Sequence, residues 1–281
     1  MSALRGGLTG LFIGPPGTGK SWLLGTATEA GLTPILLAPK PREVNSYKYR
    51  EHNVPSEVYR DHGWAPAIAR YEAGAFTKLF EKVLSLYEDE TYDAVLLDPL
   101  TDAVMLAAHE LLAPERCETP RDLRDSIGFY GALKYKLKGF TQALTGLASP
   151  DLARPKHVFV TVHAQPVKED SQLPKNQGGG TKESQDHRAQ GVEFMGEALP
   201  MIEGGYRREI AGEFDVVGFT SVVHALEKVG SKMERTSRYV VQLNADSERH
   251  AKAAIVPRLA KAEIPNSLVD LFRVIEEASN A

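Results

Sequence analysis

The apolar positions of the chain come in two textures. Residues 8–13, 34–38, 94–97 and 157–162 form short, nearly unbroken apolar runs bounded by Gly, Pro, Asp or other polar residues. Runs of that length read as strands buried on both faces, as in a parallel sheet covered by helices on each side. Elsewhere the spacing becomes helical. Ala75, Leu79, Val83 and Leu86 recur every three or four positions and predict a helix over 67–87. Further helices are predicted over 20–29, with Gly31 suited to the end, and over 102–112, 121–147 and 267–278. Residues 214–224 and 238–243 read as later strands with antiparallel pairing.

The order strand, loop, helix, strand over 8–38 calls for a right-handed crossover between parallel strands. The expected fold is therefore α/β, a mostly parallel central sheet flanked by helices with antiparallel C-terminal strands. No repeat or linker divides residues 1–281, so a single domain is expected. Two segments depart from the pattern. Residues 39–63 are polar and irregular, with a short strand at Val58 and Tyr59, and residues 166–190, carrying Gly178, Gly179 and Gly180, read as a long mobile loop.

Composition excludes some classes. A net charge of −4 and a pI near 6.1 rule out a molecule coated in positive charge and leave room for a local basic groove. Cys117 is the only cysteine, so neither an internal disulfide nor a cysteine zinc site can form. No apolar run nears the roughly 20 residues of a membrane helix. Residues 1–9 lack the charged-then-apolar order of a secretory signal. A cytoplasmic protein with no membrane partner is the expectation.

The strongest chemical signal is Gly14, Pro15, Pro16, Gly17, Thr18, Gly19, Lys20 and Ser21, a G-x-x-x-x-G-K-[ST] loop without substitution. Its glycines let successive N–H groups turn toward phosphate oxygens, and the helix that follows offers its N-terminal end to the same anion. Lys20 suits the β- and γ-phosphates, and the Ser21 hydroxyl suits Mg²⁺. An apolar strand before the loop and a helix after it supply the required context. Asp98 closes the third apolar run, where an acid acts on Mg²⁺ directly or through water; alone it would read as a helix cap. Glu43 is a candidate for activating water, and His163 and Gln165, ending the fourth run, are candidates for sensing the γ-phosphate. A buried, hydrogen-bonded histidine is the bland alternative for His163. No guanine-reading Asn-Lys-x-Asp motif occurs, which favours ATP over GTP.

The loop, "YDAVLLDPLTDA" at 92–103, "HVFVTVHAQPVKED" at 157–170 and "GEFDVVGFT" at 212–220 together resemble the RecA-like core. More narrowly they resemble small phage RecA-like ATPases of single-strand annealing and recombination. The resemblance implies a P-loop ATPase using ATP and Mg²⁺, with Lys20, Asp98, Glu43 and His163 as catalytic candidates and Ser21 and Asp98 at the metal. It implies a DNA-stimulated homo-oligomer, ring or filament, acting on single-stranded DNA, with a single-strand binding protein as a further partner, in the host cytoplasm if the chain is phage-encoded. The chain departs from the pattern after the second strand, where Ala38, Pro39 and Lys40 replace the usual acid, and at Pro99, where a serine is usual. Lys252, Arg258 and Lys261 are candidates for reaching a neighbouring subunit's nucleotide.

DNA contact falls on Lys168, Lys175, Lys182 and Arg188 in the 166–190 loop, with Arg207 and Arg208 as further phosphate contacts. That loop has no aromatic residue, so stacking would need Phe194 or Tyr206, and Trp64 is a candidate for stacking on adenine. Two other readings use the same loop: a phosphotransferase, and a nucleotide-dependent loader or switch with slow turnover.

Overall fold

The computed structural model describes residues 6–48, 52–61, 63–65, 70–166, 198–202, 206–229, 232–243, 252–253 and 263–279. The first half of the chain forms β1 (Thr9–Gly14), α1 (Lys20–Gly25), β2 (Pro34–Ala38), α2 (Pro41–Lys48) and β3 (Ser56–Val58). A small hairpin, β4 (Gly63–Ala65) with β5 (Arg70–Glu72), precedes α3 (Ala75–Ser85), β6 (Ala94–Leu97) and α4 (Leu100–Leu112). Then come α5 (Ser126–Gly146), β7 (His157–Pro166), β8 (Ala198–Pro200) and the short α6 (Tyr206–Glu209). The chain closes with β9 (Val216–Val229), β10 (Lys232–Gln242), β11 (Lys252–Ala253), β12 (Glu263–Pro265) and α7 (Leu268–Ser279).

The main sheet runs β12-β10-β9-β1-β7-β6-β2-β3, with β8 and β11 pairing at its side. From β9 to β3 the neighbours are parallel, and β10 and β12 add antiparallel pairing. The α/β class with antiparallel C-terminal strands is thus as the hydrophobic pattern implies. The physical reason is visible strand by strand. Leu11, Ile13, Ile35, Leu37, Val95, Leu97, Val158 and Val160 point into one core with α3, α4 and α5. Leu8, Phe12, Leu36, Ala38, Leu96 and Phe159 point into the opposite core with α1, α2 and α7. Alternate residues serve opposite faces and both faces are covered, so the runs look continuously apolar.

Several expected boundaries move. The helix over 67–87 begins only at Ala75, because Arg70–Glu72 pairs as a strand and Gly74 turns the chain at φ 125°. Asp61 then accepts the Ala75 N–H at 3.2 Å. The helix over 121–147 breaks into a one-turn 3-10 helix, Pro120–Asp122, and α5, which starts where the Asp125 carboxylate accepts the Gly128 N–H at 2.7 Å. The helix over 20–29 is regular only to Gly25. The irregular stretch 39–63 contains α2, started by Pro41 at its first position and seated by buried Val44 and Tyr47. Most of the 166–190 loop lies outside the described residues. No helix among the described residues is long and apolar enough to cross a membrane.

Candidate functional site

The glycine loop leaves β1 at the C-terminal edge of the parallel strands, where β2, β6 and β7 also end. Gly17 and Gly19 hold positive φ of 82° and 83°, a conformation that favours glycine. A side chain at Gly14 would not fit, since a Cβ there would lie 2.7 Å from the Thr220 carbonyl oxygen. Among the described residues no acceptor takes the backbone N–H groups of Gly17, Thr18, Gly19, Lys20 or Ser21. Five successive donors are therefore unclaimed in one turn, an arrangement that suits an anion.

The loop is braced from several directions. The Thr18 hydroxyl lies 2.8 Å from both the Pro15 carbonyl and the Thr220 hydroxyl on β9. Asn266, just before α7, donates its side-chain amide to the Gly19 carbonyl at 2.8 Å. Lys20 is buried and folds its Nζ back onto the carbonyls of Gly14 and Pro15, at 2.8 and 2.7 Å. Burial lowers its pKa from 10.5 to about 8, against the pull of Asp98 and Glu43.

Asp98, at the end of β6, is 2% exposed. The Tyr47 hydroxyl donates to its Oδ2 at 3.0 Å, and the Thr161 hydroxyl donates to Oδ1. Burial and the Asp98 charge raise the Tyr47 pKa well above its usual value, so Tyr47 stays protonated and can donate to Asp98. The peptide bond from Asp98 to Pro99 is cis. Glu43 sits in the first turn of α2, with Arg42 Nε 3.0 Å from its Oε1. Burial, then the Asp98 and Asp102 charges, raise its pKa, offset in part by Arg42. His163 stands opposite Gly14 in the β1–β7 register, and the Thr101 hydroxyl accepts its backbone N–H at 3.0 Å. Burial and the nearby Lys20 lower the His163 pKa, so the imidazole is neutral near pH 7.

The fold thus brings Lys20, Glu43, Asp98 and His163 into one electrostatic neighbourhood, as the four catalytic candidates require. It also shows what was not anticipated. Asp102, read only as a helix start, is buried on α4 and ion-paired to Lys40 at the end of β2. Among the described residues Asp102 Oδ2 and His163 Nδ1 are both buried without a hydrogen-bond partner. For Asp102, the four-residue spacing from Asp98 was the available signal.

Other candidates separate from this cluster. Tyr206 is fully buried, which removes it as a stacking surface. Arg207 lies on α6, and only the backbones of Trp64, Gln165, Arg208 and Lys252 are described. Lys168, Lys175, Lys182, Arg188, Phe194, Arg258 and Lys261 lie outside the described residues. Among the described residues no three His, Cys, Asp or Glu side chains converge on a metal position. Mg²⁺ beside phosphate is commonly held by one or two protein groups with water and phosphate oxygens, and the Ser21 hydroxyl and the Asp98 carboxylate are donors of that kind. No protein-family model matches the chain, and no curated protein sequence matches it either.

Proposed function

We propose that the chain is a RecA-like P-loop ATPase that binds ATP in residues 14–21 and hydrolyses it to ADP and phosphate. The observation that carries this reading is the run of unclaimed N–H donors from Gly17 to Ser21, braced on both sides and set beside the buried ammonium of Lys20. The sheet order supports it. His163 lies on β7, between the loop strand β1 and β6, the strand that Asp98 follows, so the three candidate positions belong to neighbouring strands.

In this reading the loop amides take the phosphate oxygens and Lys20 turns from the Gly14 and Pro15 carbonyls to the γ-phosphate. The Ser21 hydroxyl, and Asp98 through water, would hold Mg²⁺, which neutralises charge on the β- and γ-oxygens. Glu43 takes the proton of the attacking water as the new oxygen–phosphorus bond forms and the bond to the β-phosphate oxygen breaks, releasing ADP. Its raised pKa makes it a better base than an exposed carboxylate. His163, neutral and facing Lys20, donates to or accepts from the γ-phosphate environment without adding charge.

The coupling to single-stranded DNA and to self-assembly comes from the sequence resemblance and falls on the 166–190 loop with Lys168, Lys175, Lys182 and Arg188. The test is ATP turnover of the full chain with and without single-stranded DNA, with Lys20→Ala and Asp98→Asn as controls. Both variants are expected to lose at least about 100-fold in turnover, a typical loss for one electrostatic contact to the transition state. Unimpaired hydrolysis in Lys20→Ala rejects the site. Turnover indifferent to DNA, in a protein that stays monomeric with ATP, rejects the recombination role and leaves the ATPase intact.

A further inference from the structure

The reacting end and the nucleoside end of a bound triphosphate must lie on opposite sides of the loop. Asp98 directly follows β6 and His163 lies on β7, on one side of β1. The nucleoside then leaves toward the other side, where β9 and β10 lie. An aromatic side chain meets the loop there. Tyr239, on β10, has its ring against Gly19: a Cβ built on Gly19 would lie 3.0 Å from its Cδ1 and 3.5 Å from its Cγ. The ring is otherwise open, with the residue 48% exposed.

The placement of that ring is not accidental to the loop. The Asn266 backbone N–H donates to the Tyr239 carbonyl at 3.2 Å, while the Asn266 side chain donates to the Gly19 carbonyl at 2.8 Å. One residue therefore ties the aromatic strand and the phosphate loop into a fixed register. Trp22, the other exposed aromatic near the loop, is edge-on to the His52 ring with centroids 5.1 Å apart. An exposed aromatic face held rigidly beside a polyphosphate cradle is suited to a nucleobase, because every base has a π-face and stacking needs no hydrogen-bond code.

We propose that Tyr239 is the stacking platform for the base of a nucleoside triphosphate, with Asn266 as the positioning residue that holds the platform to the loop. The proposal rests on the nucleotide reading above and adds the base-binding subsite to it. A platform of this kind contributes to affinity for the nucleoside and contributes nothing to affinity for bare polyphosphate.

The experiment is calorimetric titration of the full chain with Mg-ATP and, separately, with inorganic tripolyphosphate. Tyr239→Ala is expected to weaken ATP binding about tenfold, equivalent to about 1.4 kcal/mol, while Tyr239→Phe keeps it. Tripolyphosphate affinity should be the same in wild type and Tyr239→Ala, which also reports an intact loop. Unchanged ATP affinity in Tyr239→Ala overturns the platform. So does an equal loss for both ligands, since the ring would then only prop the loop, and so does a loss seen in Trp22→Ala in place of Tyr239→Ala. If wild type binds neither ligand, the nucleotide reading itself falls and the platform with it; binding of both ligands without stacking sensitivity removes the platform alone.

Discussion

Lys20→Met should make the protein more stable while abolishing turnover. The ammonium of Lys20 is buried at 5% exposure, and burial is the largest influence on its pKa. The fall from 10.5 to about 8 corresponds to about 3 kcal/mol by which the fold disfavours the charged form. Against this, methionine gives up two hydrogen bonds, worth about 1 kcal/mol each. The Pro15 carbonyl keeps the Thr18 hydroxyl as a partner, which limits the loss. A gain of about 1 kcal/mol remains, or a rise in Tm of about 2–4 °C for a chain of this size. The pH dependence is a sharper test. A folded pKa below the unfolded one means that the charged group destabilises the fold fully below pH 8. The effect shrinks between about 8 and 10.5, where the unfolded chain binds more protons than the native one. The stability advantage of Lys20→Met should therefore be largest at pH 7 and about 1 kcal/mol smaller at pH 9, where little of it remains. Urea unfolding at both pH values measures it. A variant less stable than wild type at pH 7, or an advantage that grows with pH, refutes the reasoning.

Two other substitutions probe the neighbourhood. Glu43→Gln should lower kcat by about 100-fold with little change in KM. Because the Glu43 pKa is raised, wild-type activity should fall on the acid side at a pH above the usual carboxylate value of 4.5, and that limb should vanish in the variant. A pH–rate profile with the same acid limb in both proteins removes Glu43 as the base. Gly14→Ala places a Cβ 2.7 Å from the Thr220 carbonyl oxygen and 2.1 Å from its hydroxyl, so β1 or β9 must shift. The expected cost is about 1–3 kcal/mol in thermal or chemical denaturation, and a neutral result would mean the two strands are not held in that register.

Much of the sheet was legible because burial on both faces removes the polar alternation that would otherwise mask a strand. Phe12 and Phe159 serve one core while Leu11, Ile13, Val158 and Val160 serve the other, and the run stays apolar either way. The loop and Asp98 were legible because short-range spacing carries them. What stayed hidden was set by partners far along the chain. Polar residues and Pro41 disguised α2, which is seated by buried Val44 and Tyr47. Asp102 looked like an ordinary helix start until Lys40 was placed against it. Nothing local marks Tyr239 or Asn266, since their relation to Gly19 exists only after β10 and β12 dock. The helix over 67–87 failed at Gly74, where a positive φ ended a pattern that composition alone would continue.

The contact from Asn266 to the Gly19 carbonyl joins residues 247 positions apart. A second tie, from the Leu268 N–H to the Thr26 hydroxyl at 2.9 Å, spans nearly the same distance in sequence. During synthesis the glycine loop emerges some 247 residues ahead of its brace. At about 5–20 residues per second the ribosome needs roughly 10–50 s to cover that interval. For that time a nascent chain carries the glycine loop without the clasp that shapes it, and under the proposed reading its grip on nucleotide should switch on only once residue 266 has emerged.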